Sequence, residues 1–201
     1  MFYRRRTMIL NIVAAGSLCA ALSVGAETTE DHDAQPVAIQ ASLVSVVLPD
    51  VPLLRADGQR LALSAALDDH RPVVLNFIYT SCSSICPLLS AVLAQFREQL
   101  GAERAAVHVV SISIDPEQDT PQILRAYSDR FKGGPGWDFF TGSDVASVQV
   151  QRAFGAYRGD KMSHTPVTYI RPAPGRPWTR IDGFATAHQL LRSYRQLVAA
   201  R

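Results

Sequence analysis

The chain has 201 residues, of which 47% are hydrophobic and 19% charged, with a formal net charge of +2. That length supports one ordinary globular domain with a buried core and is short for two. No basic stripe points to nucleic acid, and beyond the first residues no apolar run is long enough to cross a bilayer, which excludes nucleic-acid binders and multi-span membrane proteins.

The chain opens on the basic MFYRRRT, and residues 8–24 form an uncharged apolar run that exits through Val24-Gly25-Ala26. A positive start, an apolar stretch and small residues at its end describe a secretory signal over residues 1–26, cleaved after Ala26, and imply a periplasmic protein. The alternative is an uncleaved membrane anchor, because 17 apolar residues are long for a signal and somewhat short of the roughly 20 that span a bilayer. Arg5-Arg6 is a weak match to a twin-arginine signal, and Cys19, preceded by Leu18 in place of a small residue, reads as apolar filling. Loss of residues 1–26 removes three arginines and no acid, so 20 basic against 18 acidic residues become 17 against 18 and the charge falls from +2 to −1. The domain that remains is expected to be soluble and keeps two cysteines, Cys82 and Cys86.

Residues 27–42 begin polar and acidic, with a proline and no period that could bury a face, and are read as a tether to a domain over residues 43–201. Asp31-His32-Asp33 in that tether reads as a solvated acidic tail. Asp57-Gly58 between two short apolar runs predicts a β-hairpin over residues 51–63. PVVLNFIY, residues 72–79, is a nearly continuous apolar run rich in β-branched and aromatic residues, as in a strand buried on both faces. A helix over residues 87–100, stopped by Gly101, and a strand over 106–114 follow, and strand, helix and strand imply a right-handed parallel crossover. Thr120-Pro121 opens a helix to about Phe131, residues 137–140 return as a strand, and Ser143 caps a helix that ends near Gly155. Residues 167–170 and 178–181 flank a turn-rich segment as an antiparallel pair, closed by a helix over 186–199. The sum is an α/β chain on the thioredoxin-like plan with an N-terminal β-hairpin extension.

The chemistry concentrates in Thr80-Ser81-Cys82-Ser83-Ser84-Ile85-Cys86-Pro87, between a buried strand and a helix. Pro87 disfavours the α conformation at Cys86 and suits the first helical position, which leaves both cysteines in the loop leading into the helix, with Cys86 near its N-cap. There the helix dipole and the unpaired backbone donors stabilise a thiolate, the form needed for metal ligation and for disulfide exchange alike. A structural disulfide closing so short a loop gains little entropy, so the pair reads as functional. The crevice beyond the C-terminal ends of parallel strands is also where open α/β sheets place their ligands.

The order VLNFIYTSC over residues 74–82, Cys86-Pro87, SISIDPEQDTP over residues 111–121, residues 137–142 ending in Thr141-Gly142, and Ser163-His164-Thr165 before a strand resembles the Sco (SenC-type) family of copper chaperones. The likeness runs from about residue 48 to 184, and it is specific because an ordinary thioredoxin keeps two residues between its cysteines, not three. It implies copper held by Cys82, Cys86 and His164, in service of the dinuclear copper site of cytochrome c oxidase. The partners implied are that oxidase's copper-site subunit and a periplasmic copper donor. Two thiolates suit copper(I), and an imidazole adds a donor that copper(II) also accepts, so one set can hold either state; a closed zinc site wants a fourth ligand that is not evident. His70, His108 and His188 read as structural or exposed. Asp115 and Asp119 read as a turn, a helix cap and an acidic rim, not as ligands.

Two positions depart from the family pattern. Ser163 stands where an acidic residue often precedes the histidine. Pro166 occupies a place like that of the cis-proline in thioredoxin-type reductases, and a cis Thr165–Pro166 bond is expected. With it goes a second reading, a periplasmic thiol-disulfide oxidoreductase in which Cys82 and Cys86 form a redox-active disulfide; a peroxidase of the same fold is a more distant third.

Overall fold

A computed structural model describes residues 39–68 and 70–200. The signal, Cys19, Asp31-His32-Asp33 and most of the tether lie outside the described residues.

Eight strands make one sheet, β1 (Gln40–Val44), β2 (Pro52–Arg55), β3 (Arg60–Ala62), β4 (Val73–Ile78), β5 (His108–Ser113), β6 (Trp137–Thr141), β7 (Val167–Arg171) and β8 (Trp178–Asp182), in the spatial order β1-β8-β7-β4-β5-β6-β2-β3. The three central strands β4, β5 and β6 run parallel, and β7 lies antiparallel to β4. Five helices cover the sheet: α1 (Leu63–Leu67), α2 (Ile85–Leu100), α3 (Pro121–Arg130), α4 (Asp144–Ala153) and α5 (Ala187–Ala199). None of the described helices is long and apolar enough to cross a membrane.

The unbroken apolar run of β4 follows from this layering. Successive strand residues point to opposite faces, and all six residues of β4 are buried. Val74 and Ile78 join a core built with Leu93 and Phe96 of α2, Tyr127 of α3 and Leu190 of α5. Val73, Leu75 and Phe77 join a second core with Leu63 of α1 and Val150 of α4. Each such apolar side chain contributes about 1.5–3 kcal/mol when fully buried, so β4 is the best-anchored segment of the sheet.

The expected hairpin is present as β2 and β3, with Gly58 at φ +93° in its turn and the Asp57 carboxylate accepting the Gln59 amide at 2.9 Å. Thr120, Ser143 and Thr186 cap α3, α4 and α5 as their side chains allow, and Gln189 completes a capping box with Thr186. Three boundaries differ from the sequence reading. Residues 40–42, placed in the tether, belong to β1, an edge strand paired with β8. The short α1 follows the hairpin directly. And α2 begins at Ile85, so Cys86 lies inside its first turn instead of in the preceding loop.

Candidate metal centre

The early start of α2 has a local cause. The first amides of a helix have no partner within it, and the Cys86 amide donates instead to the Cys82 sulfur at 3.4 Å. Pro87, third in the helix, lacks an N–H that would be orphaned there in any case. The sequence thus closes the loop on itself, with the first cysteine capping the turn that carries the second. Both cysteines are buried, and both thiols are free.

Their environments differ. Burial opposes ionisation of Cys82, but hydrogen bonds from the Cys86 and Ser84 amides, then from the Cys86 and Tyr79 side chains, outweigh it and bring the thiol down to about 7. Burial pushes Cys86 up to about 12 against one backbone hydrogen bond at Tyr79 that favours its thiolate. Cys82 is therefore the ready thiolate of the pair and Cys86 its protonated neighbour.

Asp119 fixes the loop in front of the cysteines. It is fully buried and accepts the Thr80 amide at 3.1 and 3.2 Å and the Thr80 hydroxyl at 2.5 Å, while the Ser113 hydroxyl donates to its other oxygen. Burial raises its pKa, and those hydrogen bonds pull the other way. Asp119 thereby ties the end of β5 to the residue two before Cys82. The sequence reading gave this aspartate a cap or a place on an acidic rim; the cap belongs to Thr120, and Asp119 faces inward. Asp115, also buried, pairs instead with Lys161 at 2.6 Å.

Lys161 begins a single 3₁₀ turn, Lys161–Ser163, that leads to His164. The turn lies at the same end of the sheet as the cysteines: Lys161 stands over the Tyr79 ring at 6.0 Å, and the Tyr79 hydroxyl meets the Met162 sulfur at 3.8 Å. His164 itself is buried, and its Nε2–H donates to the Phe77 carbonyl at 3.2 Å, which leaves the lone pair on Nδ1. Burial lowers its pKa, the carbonyl opposes that shift, and Arg158 adds to it, so the imidazole is neutral, as a metal ligand must be. The ring lines a cavity of about 210 Å³ shared with Ser147 and Gln151 of α4 and with Tyr157.

The structure thus brings Cys82 and Cys86 together and sets His164 on a neighbouring loop, turned to Phe77. No hydrogen bond joins His164 to either cysteine, and among the described residues no three His, Cys, Asp or Glu side chains are gathered closely enough to hold a metal ion. His108 donates or accepts through Nε2 at 2.9 Å from Asp138 of β6, while His70 and His188 are exposed.

The expected cis bond at Pro166 is corrected: Thr165–Pro166 is trans, as are all peptide bonds among the described residues. His164 is already extended, the Pro166 carbonyl accepts the Gly183 amide at 2.9 Å, and Val167 pairs with Asp182, so the chain runs straight into β7 with no bend for a cis bond to make.

The SCO1/SenC family model matches residues 53–199. A SCO1 homologue of Bacillus subtilis is 33% identical over 94 residues, covering 46% of this chain and 48% of that protein. The chain therefore spans about half the length of that curated relative. The crystal structure of Arabidopsis thaliana ScoI with copper bound superposes with a TM-score of 0.65 at 24% identity, covering 77% of this chain and 99% of that one. BsSco, in which a disulfide switch was identified, belongs to the Sco family of cytochrome c oxidase assembly proteins; it superposes with a TM-score of 0.66 at 22% identity, covering 80% of this chain and 98% of its own. At these identities the likeness to solved structures is one of fold, which is thioredoxin-like. The family match takes in the hairpin, the cysteine loop, the Asp119 loop and His164 together: this chain belongs to the SCO1/SenC family.

Proposed function

We propose that this protein is a periplasmic copper carrier that binds one ion through Cys82, Cys86 and His164 and serves assembly of the dinuclear copper site of cytochrome c oxidase. The observation that carries the reading is the donor set at one end of the sheet: a thiol brought down to about 7 beside a second, buried thiol, with a neutral imidazole on the adjoining loop. Thiolates select copper(I), and the imidazole suits copper(II) as well. Copper bound to a copper-bearing relative's structure and the assembly role of BsSco's family agree with that donor set. The oxidase's copper-site subunit is then the recipient and a periplasmic protein the donor. Residues 1–26 direct export and, if retained, anchor the domain to the membrane.

The decisive experiment is a titration of the reduced protein with copper(I) and copper(II), beside Cys82→Ser, Cys86→Ser and His164→Ala. Each cysteine variant loses tight copper(I) binding, and His164→Ala chiefly loses copper(II). Full copper(I) affinity in a cysteine variant refutes the assignment.

A second reading rests on the same unequal thiols. In thiol-disulfide exchange the Cys82 thiolate attacks a substrate disulfide and expels one substrate thiolate; Cys86 then displaces the second, leaving a Cys82–Cys86 disulfide and a reduced substrate dithiol. The trans bond at Pro166 removes the feature that likened this site to the reductases. A peptide carrying an oxidised copper-site cysteine pair tests this reading: reduction no faster than by free dithiol leaves the carrier role alone.

A further inference from the structure

Met162 stands out among the large apolar side chains, because it is 73% exposed on the turn that carries His164. Its sulfur lies 3.8 Å from the Tyr79 hydroxyl, and that hydroxyl also hydrogen-bonds Cys82. The sulfurs of Met162 and Cys82 therefore flank one oxygen. A 3₁₀ turn advances about 120° per residue, so Met162 and His164, two positions apart, cannot face the same way. The one looks toward Tyr79 and the cysteine loop, and the other is held by the Phe77 carbonyl. The turn is fastened in this orientation by Lys161 on Asp115 and by the Met162 amide on the Asp160 carboxylate at 3.1 Å.

A thioether is a soft, neutral donor that binds copper(I) and has little affinity for harder ions, and an exposed methionine is flexible enough to move onto an ion without repacking a core. Building on the copper reading above, we propose that Met162 is a ligand of this site: copper(I) is held by Cys82, Cys86 and the Met162 sulfur, whereas copper(II) takes His164 in its place. The loop then discriminates between oxidation states by which of its two donors it turns to the thiolates.

The test uses Met162→Leu, which keeps an apolar side chain at an exposed position and removes only the sulfur. Competition with a chromophoric copper(I) chelator should show copper(I) binding weakened about tenfold or more, of the size that losing even an outer-shell partner of a metal site costs, with copper(II) binding unchanged. Copper-edge X-ray absorption should lose one sulfur neighbour from three. In the unsubstituted protein, silver(I), a redox-inert soft probe, should shift the methyl resonance of Met162, identified by its absence in the variant. Unchanged copper(I) affinity with the same sulfur count overturns the role of Met162 while leaving the carrier intact. If the unsubstituted protein holds copper no better than Cys82→Ser, the copper reading itself fails, a result the Met162 comparison cannot produce.

Discussion

The two loops that face each other at the end of the sheet are built differently. The cysteine loop is set from inside: Asp119, wholly buried, takes the Thr80 amide and hydroxyl, and Cys82 caps the helix that carries Cys86. The histidine loop is set from outside, by the half-exposed Lys161 on Asp115 and by an exposed Met162 beside Tyr79. Buried, mutually satisfied polar groups are costly to disturb, whereas exposed pairs are screened and weak. A carrier needs that inequality, since two preset thiolates give capture while a loosely fastened third donor allows release.

The largest effect expected is on the preset half. Cys82→Ser or Cys86→Ser abolishes tight copper(I) binding in a chelator competition, because a hydroxyl does not replace a thiolate for a soft ion. Asp119→Ala strips buried donors of their acceptor and should cost about 3 kcal/mol in urea unfolding. Asp119→Asn, which keeps one acceptor, should cost less. The raised pKa of Asp119 gives this a pH signature: its contribution to stability is greatest below the unfolded aspartate value and falls as pH rises through the higher folded value, so Asp119→Asn flattens that part of the profile.

A smaller effect concerns the thiols. In the copper-free reduced protein, alkylation should proceed at Cys82 with a midpoint near pH 7, while Cys86, raised to about 12, reacts only after unfolding. Because the folded value for Cys82 lies below the ordinary thiol value, its contribution to stability is present above the unfolded pKa and fades as pH falls through about 7. Two cysteines alkylated at equal rates in the folded state would erase the asymmetry. The smallest effect belongs to the outer fastening: Lys161→Ala should leave the unfolding midpoint in place and alter copper(II) uptake by stopped-flow, since it frees only the turn before His164.

Much of this molecule was legible in the sequence because local and global signals agree. The apolar run of β4 reads as doubly buried because helices do cover both its faces, and Thr120, Ser143 and Thr186 read as caps because capping depends on neighbouring residues alone. β1 was not legible, since four of its five residues are exposed on an edge strand whose partner, β8, lies far along the chain. The start of α2 depends on a sulfur four residues back, which no propensity scale registers. Asp119 sits in Asp-Thr-Pro, the signature of a cap, and only the fold reveals that Thr80 and Ser113 converge on it. The cysteines were found by spacing and position, and the place of His164 before β7 by resemblance. The direction of its ring depends on a carbonyl 87 positions away and is written nowhere near it.

The most direct test of the unequal loops is a crystal structure of the copper(II)-loaded protein. The account predicts Thr80 still bound to Asp119 at the present 3.1 to 3.2 Å and the Cys86 amide still directed at Cys82, with residues 161–164 displaced and His164 released from Phe77 onto the ion. A copper(II) structure in which His164 keeps its place on Phe77 and residues 80–86 are rebuilt to reach it would contradict the account.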